Sequence, residues 1–295
     1  MNEEQAIASG PYAPHTPVTS SVRGTFIEGE AILGLVLLGV FVAVAILAPW
    51  ISPYDPHALS GKPLERPTFS HWLGTNDVGQ DILSELVYGA RISLIVALGA
   101  STCTVALGAI IGSLAGYVGG WLDNILMRAV DVLLTLPRLP LLILLGAFMG
   151  VGVAQVVAII SLLFWPVTAR TIRAQTQSLR RRGYVRMAHL FGGGTGYVLG
   201  HHILPALAPL IVCELVIAAS RAVVLEAGLA FLGIGDPAAK SWGLMMRFAL
   251  NLPGLLLGDR WLWWLIPPAV CLTMLILALT FIGIGLEKQW QPRLR

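Results

Sequence analysis

Long apolar segments without charged residues alternate with shorter polar segments along this chain of 295 residues. The segments 31–51 and 92–122, for example, contain no Asp, Glu, Lys or Arg. In a helix that rises about 1.5 Å per residue, about 20 apolar residues cross the roughly 30 Å hydrocarbon core of a bilayer. The pattern therefore predicts six transmembrane helices, at residues 31–51, 92–118, 129–148, 154–169, 203–232 and 261–286.

The composition also indicates an all-α, polytopic membrane protein. Hydrophobic residues make up 56% of the chain and charged residues only 12%, whereas soluble domains carry about 25% charged residues. The first 24 residues are rich in Pro, Ser and Thr and lack the apolar core of a cleavable signal peptide. We expect a disordered tail (1–29), a first transmembrane helix with an external loop (30–91), a core of five transmembrane helices (92–286) and a short C-terminal tail (287–295).

The distribution of Lys and Arg predicts the orientation in the membrane. With the N-terminus inside, eleven of the 19 basic residues fall in inner segments and six in outer loops, and two arginines lie within spans. Basic residues accumulate on the cytoplasmic side of membrane proteins. We therefore expect both termini in the cytoplasm.

A basic, glycine-rich segment between the fourth and fifth spans is too short in apolar length to cross a membrane. It contains four apolar residues at the helical spacing i, i+3, i+4 and i+7, namely Tyr184, Met187, Ala188 and Phe191. Gly192 is expected to end this helix, and Pro205 is expected to begin the next span. An apolar stripe exposed to the cytosol typically binds a partner protein.

Six arginines lie between Arg170 and Arg186, and no acidic residue lies between Asp131 and Glu214. We therefore expect these arginines to have no local partner and to hold the segment at the inner membrane surface. The glycine run 192–196 is not followed by the Lys-Ser or Lys-Thr of a phosphate-binding loop. The segment also lacks the interleaved basic and aromatic residues of a nucleic-acid platform. Neither ATP nor nucleic acid is expected to bind here.

Several motifs in order resemble those of one transporter family. Gly192 stands six residues after Arg186 and thirteen before Pro205, which resembles the cytoplasmic EAA loop of binding-protein-dependent ABC importers, with Arg186, Met187 and Ala188 in place of Glu-Ala-Ala. The segments 71–94, 119–137 and 225–243 and the C-terminal Pro-Arg-Leu-Arg are similar to those of peptide and nickel permeases. The resemblance covers residues 30–295 and points to the DppC/OppC-like permease subunits.

The resemblance implies a type I importer permease fold, a location in the plasma (inner) membrane of a bacterium or archaeon, and a set of partners. These are a second homologous permease subunit, two cytoplasmic ATP-binding subunits and an external solute-binding protein. The loop at about 170–205 would couple this chain to an ATPase, through Tyr184, Arg186, Met187, Ala188, Phe191, Gly192 and Pro205. The chain itself would need no cofactor and no metal ion and would not be an enzyme.

Two further sets of residues are candidates for packing and for the translocation pathway. Gly108, Gly112 and Gly116 repeat every four residues, which lets another helix approach closely, from this chain or from the partner. Charges at membrane depth mark pathways or pairings, and the candidates are Asp131, Arg138, Glu214, Arg221 and Glu226. The seven-residue spacings within this set favour partners on other helices over salt bridges within one helix. We expect Glu226 to stabilise the interior.

Peptides are the first substrate expected from the resemblance, with nickel, metal chelates or another small solute as alternatives within the same architecture. A proton-coupled secondary transporter that works alone is the alternative from another class. Inverted repeats, which such transporters often contain, are not visible in the sequence. A membrane-embedded enzyme is a third alternative, and the sequence offers no catalytic constellation for it.

Overall fold

A computed structural model describes residues 21–150 and 152–290, and within these ranges the chain is all-α without a β-strand. A π-helical turn occupies Leu199–Ile203 and a 3₁₀ turn Leu255–Leu257. The α-helices are α1 (Ser21–Ile51), α2 (Ile82–Val118), α3 (Gly120–Thr135), α4 (Arg138–Met149), α5 (Val153–Arg180), α6 (Gly183–Leu190), α7 (Thr195–Val198), α8 (Leu204–Leu232), α9 (Trp242–Asn251), α10 (Arg260–Trp264) and α11 (Ile266–Trp290).

The lengths and apolar composition of the described helices are those of a polytopic membrane protein. Five helical segments are long and apolar enough to cross a membrane, and a sixth span results if the bent pair α3 and α4 is counted as one. The five segments are Gly29–Ile51, Ile82–Val118, Val153–Arg180, Thr195–Leu232 and Arg260–Glu287. The predicted all-α, polytopic fold class is therefore confirmed.

Two predicted boundaries near the N-terminus are wrong. α1 begins at Ser21, so residues 21–29 are helical rather than part of a disordered tail, and residues 1–20 lie outside the described residues. α2 begins at Ile82, so the loop after α1 ends at Asp81 rather than at residue 91. Asp81 fixes this start, because its carboxylate accepts hydrogen bonds from the backbone N–H of Ser84 at 2.8 Å and from the Ser84 hydroxyl at 2.6 Å.

The predicted third span, 129–148, is not one continuous helix. α3 and α4 meet at an angle of 88°. Leu136, between them, is extended with φ −72° and ψ 137°, as expected for a residue that precedes a proline. Pro137 also lacks the backbone N–H that would continue the hydrogen bonds of α3. The proline therefore divides the apolar segment into two short helices.

The predicted coupling segment, 170–205, begins and ends within longer helices. α5 continues to Arg180, and the helical run that contains the fifth span begins at Thr195. Pro205 therefore lies within a helical run instead of at its start. The π-helical turn before it has Leu204 donate its N–H to the carbonyl of Leu199, five residues back. This wider turn accommodates the proline ring, which would clash with a carbonyl in a regular α-helix.

Gly108, Gly112 and Gly116 of α2 pack against another helix of this same chain. α2 and α5 form the most extensive helix pair in the described structure. A β-carbon added at Gly108 would lie 2.7 Å from Cβ of Thr168, and one at Gly116 would lie 2.7 Å from the carbonyl oxygen of Arg173. A β-carbon at Gly112 would meet the carbonyl oxygen of Ala169. The repeat thus brings α2 against α5 rather than against a partner subunit.

Short elements gather at the two ends of the bundle, which we name the α6 end and the α9 end. α6, α7 and the last turns of α2 and α5 lie at the α6 end, where Tyr117, Ile172, Leu179 and Val185 share one apolar cluster. The loop 52–81, α9 and α10 lie at the α9 end. There Trp242 and Trp264 are almost fully buried in a second cluster, so the predicted polar loop at 233–260 contains a packed helix.

Candidate functional site

The short helix α6 ends in a glycine motif at the position that the sequence predicted. Gly192 has φ +89°, a conformation that glycine adopts without steric cost. The N–H of Gly192 donates to the carbonyl of His189 at 3.1 Å, and that of Gly193 donates to the carbonyl of Ala188 at 3.0 Å. This pair of bonds is a Schellman motif. It turns the chain sharply and leads it into α7.

α6 is held to the bundle by one face and leaves the other free. Val185 is 2% exposed in the apolar cluster of the α6 end, and Ala188 packs against that cluster. Large apolar side chains cover the free face, and these are Tyr184 (45% exposed), Met187 (49%), Leu190 (77%) and Phe191 (83%). Ala188 therefore belongs to the anchored side, and Leu190, which the sequence analysis did not select, belongs to the free face.

Aromatic side chains join α6 to the helical run that follows it. The rings of Tyr197 and His201 stack with centroids 4.5 Å apart, and His202 lies 5.7 Å from Tyr197 and 6.3 Å from Tyr184. An open cavity of about 630 Å³ lies between Tyr184, Phe191, Tyr197 and His202. We call the free face of α6 with this cavity the coupling surface. It is apolar and open, and its aromatic side chains contact the π-helical turn that precedes α8.

The expectation that the arginines have no local partner is wrong for two of them. Arg173 donates from Nε to Asp123 Oδ1 at 2.5 Å and from Nη2 to Asp123 Oδ2 at 2.6 Å, a bidentate pair. Arg170 forms an ion pair with Asp131. Both acids lie on α3, which packs beside α5. The partners were missed because they are distant in sequence.

Three of the four remaining arginines of this segment line a basic cavity of about 860 Å³ at the α6 end. Arg180, Arg181, Arg186 and His189 line it. Arg180 reaches the carbonyl of Val118 at 3.4 Å. Arg186 has no ion-pair partner among the described residues and is exposed. Its charge therefore faces open space beside the coupling surface.

The charges at membrane depth find their contacts on other helices. Glu214 accepts a hydrogen bond from the Thr168 hydroxyl at 3.0 Å. The Arg138 guanidinium lies 5.2 Å from the centroid of the Phe164 ring. Arg221 is exposed. No ion pair within one helix occurs among the described residues.

Glu226 lies in the last turns of α8 and is 5% exposed. One of its carboxylate oxygens, Oε2, has no hydrogen-bond partner in the described structure. Glu226 and Ser241 line a cavity of about 10 Å³, and Ser241 caps α9 by accepting from the N–H of Leu244. The carboxylate therefore stands where α8 meets the α9 end.

A buried polar network at the α9 end was missed by the sequence analysis. Lys240 Nζ donates to Glu85 Oε1 and to Gln80 Oε1, both at 2.6 Å. Asn76 Nδ2 donates to the same Glu85 oxygen at 3.1 Å. The network ties the loop 52–81 to α2 and to the segment before α9. Asn76 and Gln80 lie in the segment 71–94, which in the sequence contributed only to the resemblance to peptide and nickel permeases.

Comparison with known proteins identifies the class. Residues 108–295 match the family described as "Binding-protein-dependent transport system inner membrane component". Residues 31–67 match "N-terminal TM domain of oligopeptide transport permease C". The chain therefore belongs to the family of inner-membrane components of binding-protein-dependent transport systems, which are multi-pass membrane permeases.

Similar proteins narrow the family further. A protein of Brucella suis biovar 1 named "Putative peptide permease protein" is 36% identical over 279 residues, which cover 94% of this chain and 91% of the relative. The dipeptide transport system permease protein DppC of Bacillus subtilis is 34% identical over 269 residues (90% and 82%). DppC of Alkalihalophilus pseudofirmus is 33% identical over 273 residues (90% and 86%). The predicted likeness to DppC/OppC-type permeases is confirmed.

Proposed function

We propose that this chain forms half of the translocation pathway of an ABC importer for di- or oligopeptides. A second, homologous permease supplies the other half, and an external solute-binding protein delivers the peptide at the α9 end. Two cytoplasmic ATP-binding subunits drive import, one of them docked on the coupling surface. The chain has no ATPase site of its own in this proposal, and both termini lie in the cytoplasm.

The coupling surface is the observation that carries the proposal. Tyr184, Met187, Leu190 and Phe191 expose large apolar side chains on a short helix at one end of the bundle. Exposed apolar patches with a polar rim mark protein interaction sites. The anchored side, through Val185, lies in the same apolar cluster as Ile203 and Leu207 of the fifth span. A partner that grips α6 and moves would therefore move α8 with it.

The substrate class rests on the relatives. Their names describe permeases of peptides and dipeptides, and each match covers more than four fifths of both chains. The orientation rests on the basic residues around the coupling surface, such as Arg180, Arg181 and Arg186, since such residues favour the cytoplasmic side.

Co-purification tests the docking. The importer is isolated in mild detergent from its native membrane through a tag on this chain, and bound proteins are identified by mass spectrometry. We expect a second permease and ATP-binding subunits. Phe191→Asp, which places a charge on the coupling surface, should lose the ATP-binding subunits while retaining the second permease. Phe69→Asp is the matched control, because Phe69 is also highly exposed but lies in the loop 52–81.

Three outcomes contradict the proposal. The first is a functional chain recovered without partners, which would favour a secondary transporter. The second is an ATPase that remains bound in the Phe191→Asp variant. The third comes from reconstitution: the assembled importer should take up a labelled dipeptide only with ATP and binding protein, and transport of another solute alone would refute the peptide assignment.

A further inference from the structure

Two arginines from different helices lie near Phe164 of α5. Arg138 is the first residue of α4, and its guanidinium is 5.2 Å from the Phe164 ring centroid. Arg221 of α8 lines the same small cavity as Phe164. α4 and α8 therefore each place an arginine next to Phe164 of α5, and we call Arg138 and Arg221 the arginine pair.

Helix lengths place Phe164 and Arg221 near the middle of a membrane. Phe164 is eleven residues after Val153, where α5 begins, and Arg221 is eleven residues before Leu232, where α8 ends. Val153 and the segment just after Leu232 line one cavity at the α9 end. At about 1.5 Å per residue, both positions lie about 16 Å from that end, about half of a 30 Å core.

In the described structure, no acidic side chain forms an ion pair with Arg138 or Arg221. Asp131 pairs with Arg170 instead, and Glu214, two turns from Arg221, accepts from Thr168. Glu226 is farther along α8, toward the α9 end. Arg221 is nevertheless exposed on the surface of this chain. A guanidinium at this depth is unfavourable against lipid and is found facing a water-filled cavity or a protein interior.

We propose that Arg138 and Arg221 bind the C-terminal carboxylate of the transported peptide midway through the pathway. This inference rests on the proposed function and names the group that the pathway recognises. Arginine binds carboxylates in a bidentate manner, and the Phe164 ring orients the Arg138 guanidinium. Linear peptides of any sequence share the terminal carboxylate, so one cationic site serves substrates with different side chains.

The test compares two peptides that differ only in this group. The complete importer, with its partner permease, ATPases and binding protein, is reconstituted in proteoliposomes. Uptake of a labelled alanine dipeptide and of its C-terminal amide is measured, each at a concentration that saturates the binding protein. We expect the wild type to prefer the free carboxylate at least tenfold. Arg221→Gln and Arg138→Gln should each reduce this preference to below threefold, and Arg221→Lys should retain more of it than Arg221→Gln.

The controls separate recognition from folding. Arg128→Gln removes a positive charge from an exposed position of α3 and should leave the preference unchanged. Equal losses of both peptides in the Arg221→Gln and Arg138→Gln variants, with the preference preserved, would mean a structural role and overturn the inference. A wild type that transports both peptides equally would overturn it as well, while the proposed function stands. A wild type that transports neither peptide would instead refute the proposed function.

Discussion

Lys240→Met is the substitution whose effect follows most directly from the described contacts. The Lys240 and Glu85 side chains are 11% and 4% exposed, and Nζ lies 2.6 Å from Glu85 Oε1. Removal of one partner from a buried ion pair costs about 3–5 kcal/mol, because the other charge stays buried without compensation. After the substitution, Glu85 keeps only the hydrogen bond from Asn76. We therefore expect the free energy of unfolding to fall by about 3 kcal/mol or more.

Reversible unfolding of the purified chain in mixed micelles measures this change. Tryptophan fluorescence is a suitable signal, since Trp264 lines the same small cavity as Glu85 and Lys240. Lys62→Met is the matched control, because Lys62 is an exposed lysine of the loop 52–81. Exposed substitutions of this kind change stability by about 0.5 kcal/mol or less.

A double-mutant cycle then isolates the ion pair. Glu85→Gln combined with Lys240→Met removes both charges, so the double variant should be at least about 1 kcal/mol more stable than the sum of the single effects predicts. Strictly additive effects would show that the two side chains do not stabilise one another. A Lys240→Met variant as stable as the Lys62→Met control would refute the argument from burial.

Two further substitutions test packing and the buried acid. Gly112→Leu places a side chain against the Ala169 carbonyl, and overpacking of this kind costs about 1–3 kcal/mol; unchanged thermal stability in detergent would contradict the close approach of α2 and α5. Glu226→Gln puts an amide group in place of a buried carboxylate beside the Ser241 cap. We therefore expect at least a twofold decrease in the amount of assembled importer or in the rate of uptake. Normal amounts together with normal uptake would show that Glu226 does not stabilise the interior.

The sequence predicts best what depends on local pattern. The lengths of the apolar segments locate the spans, and the position of Gly192 predicts where α6 ends. The break at Pro137 was missed because apolar residues continue on both sides of it, and only the local backbone preference of a residue before proline reveals the bend. The start of α2 at Ile82 was also missed, because the first turns of this helix contain polar residues. Asp81 and Ser84 nevertheless form a recognisable helix N-cap.

Contacts between distant residues are not readable from pattern alone. Arg173 and Asp123 are fifty residues apart and Arg170 and Asp131 are thirty-nine apart, and only the packing of α3 beside α5 brings each pair together. The same holds for Lys240, which stands 155 residues from Glu85. The glycine repeat predicted close helix contact correctly but could not say with which helix, and the packing identifies α5. Thus the candidate residues were identifiable by type, whereas their pairings required the fold.

The π-helical turn at Leu199–Ile203 determines which kind of motion can pass from the coupling surface into the membrane. Thr195–Leu232 is a helical run of 38 residues, about 57 Å long at 1.5 Å per residue, with no flexible loop between its first turn and its last. Such a rod transmits rotation and axial displacement together. The wide turn is its one underwound point, where a shift of hydrogen bonds from i−5 to i−4 acceptors would rotate α8 relative to α7. In the proposed importer, a force applied at the coupling surface would therefore reach Arg221 as torsion of α8.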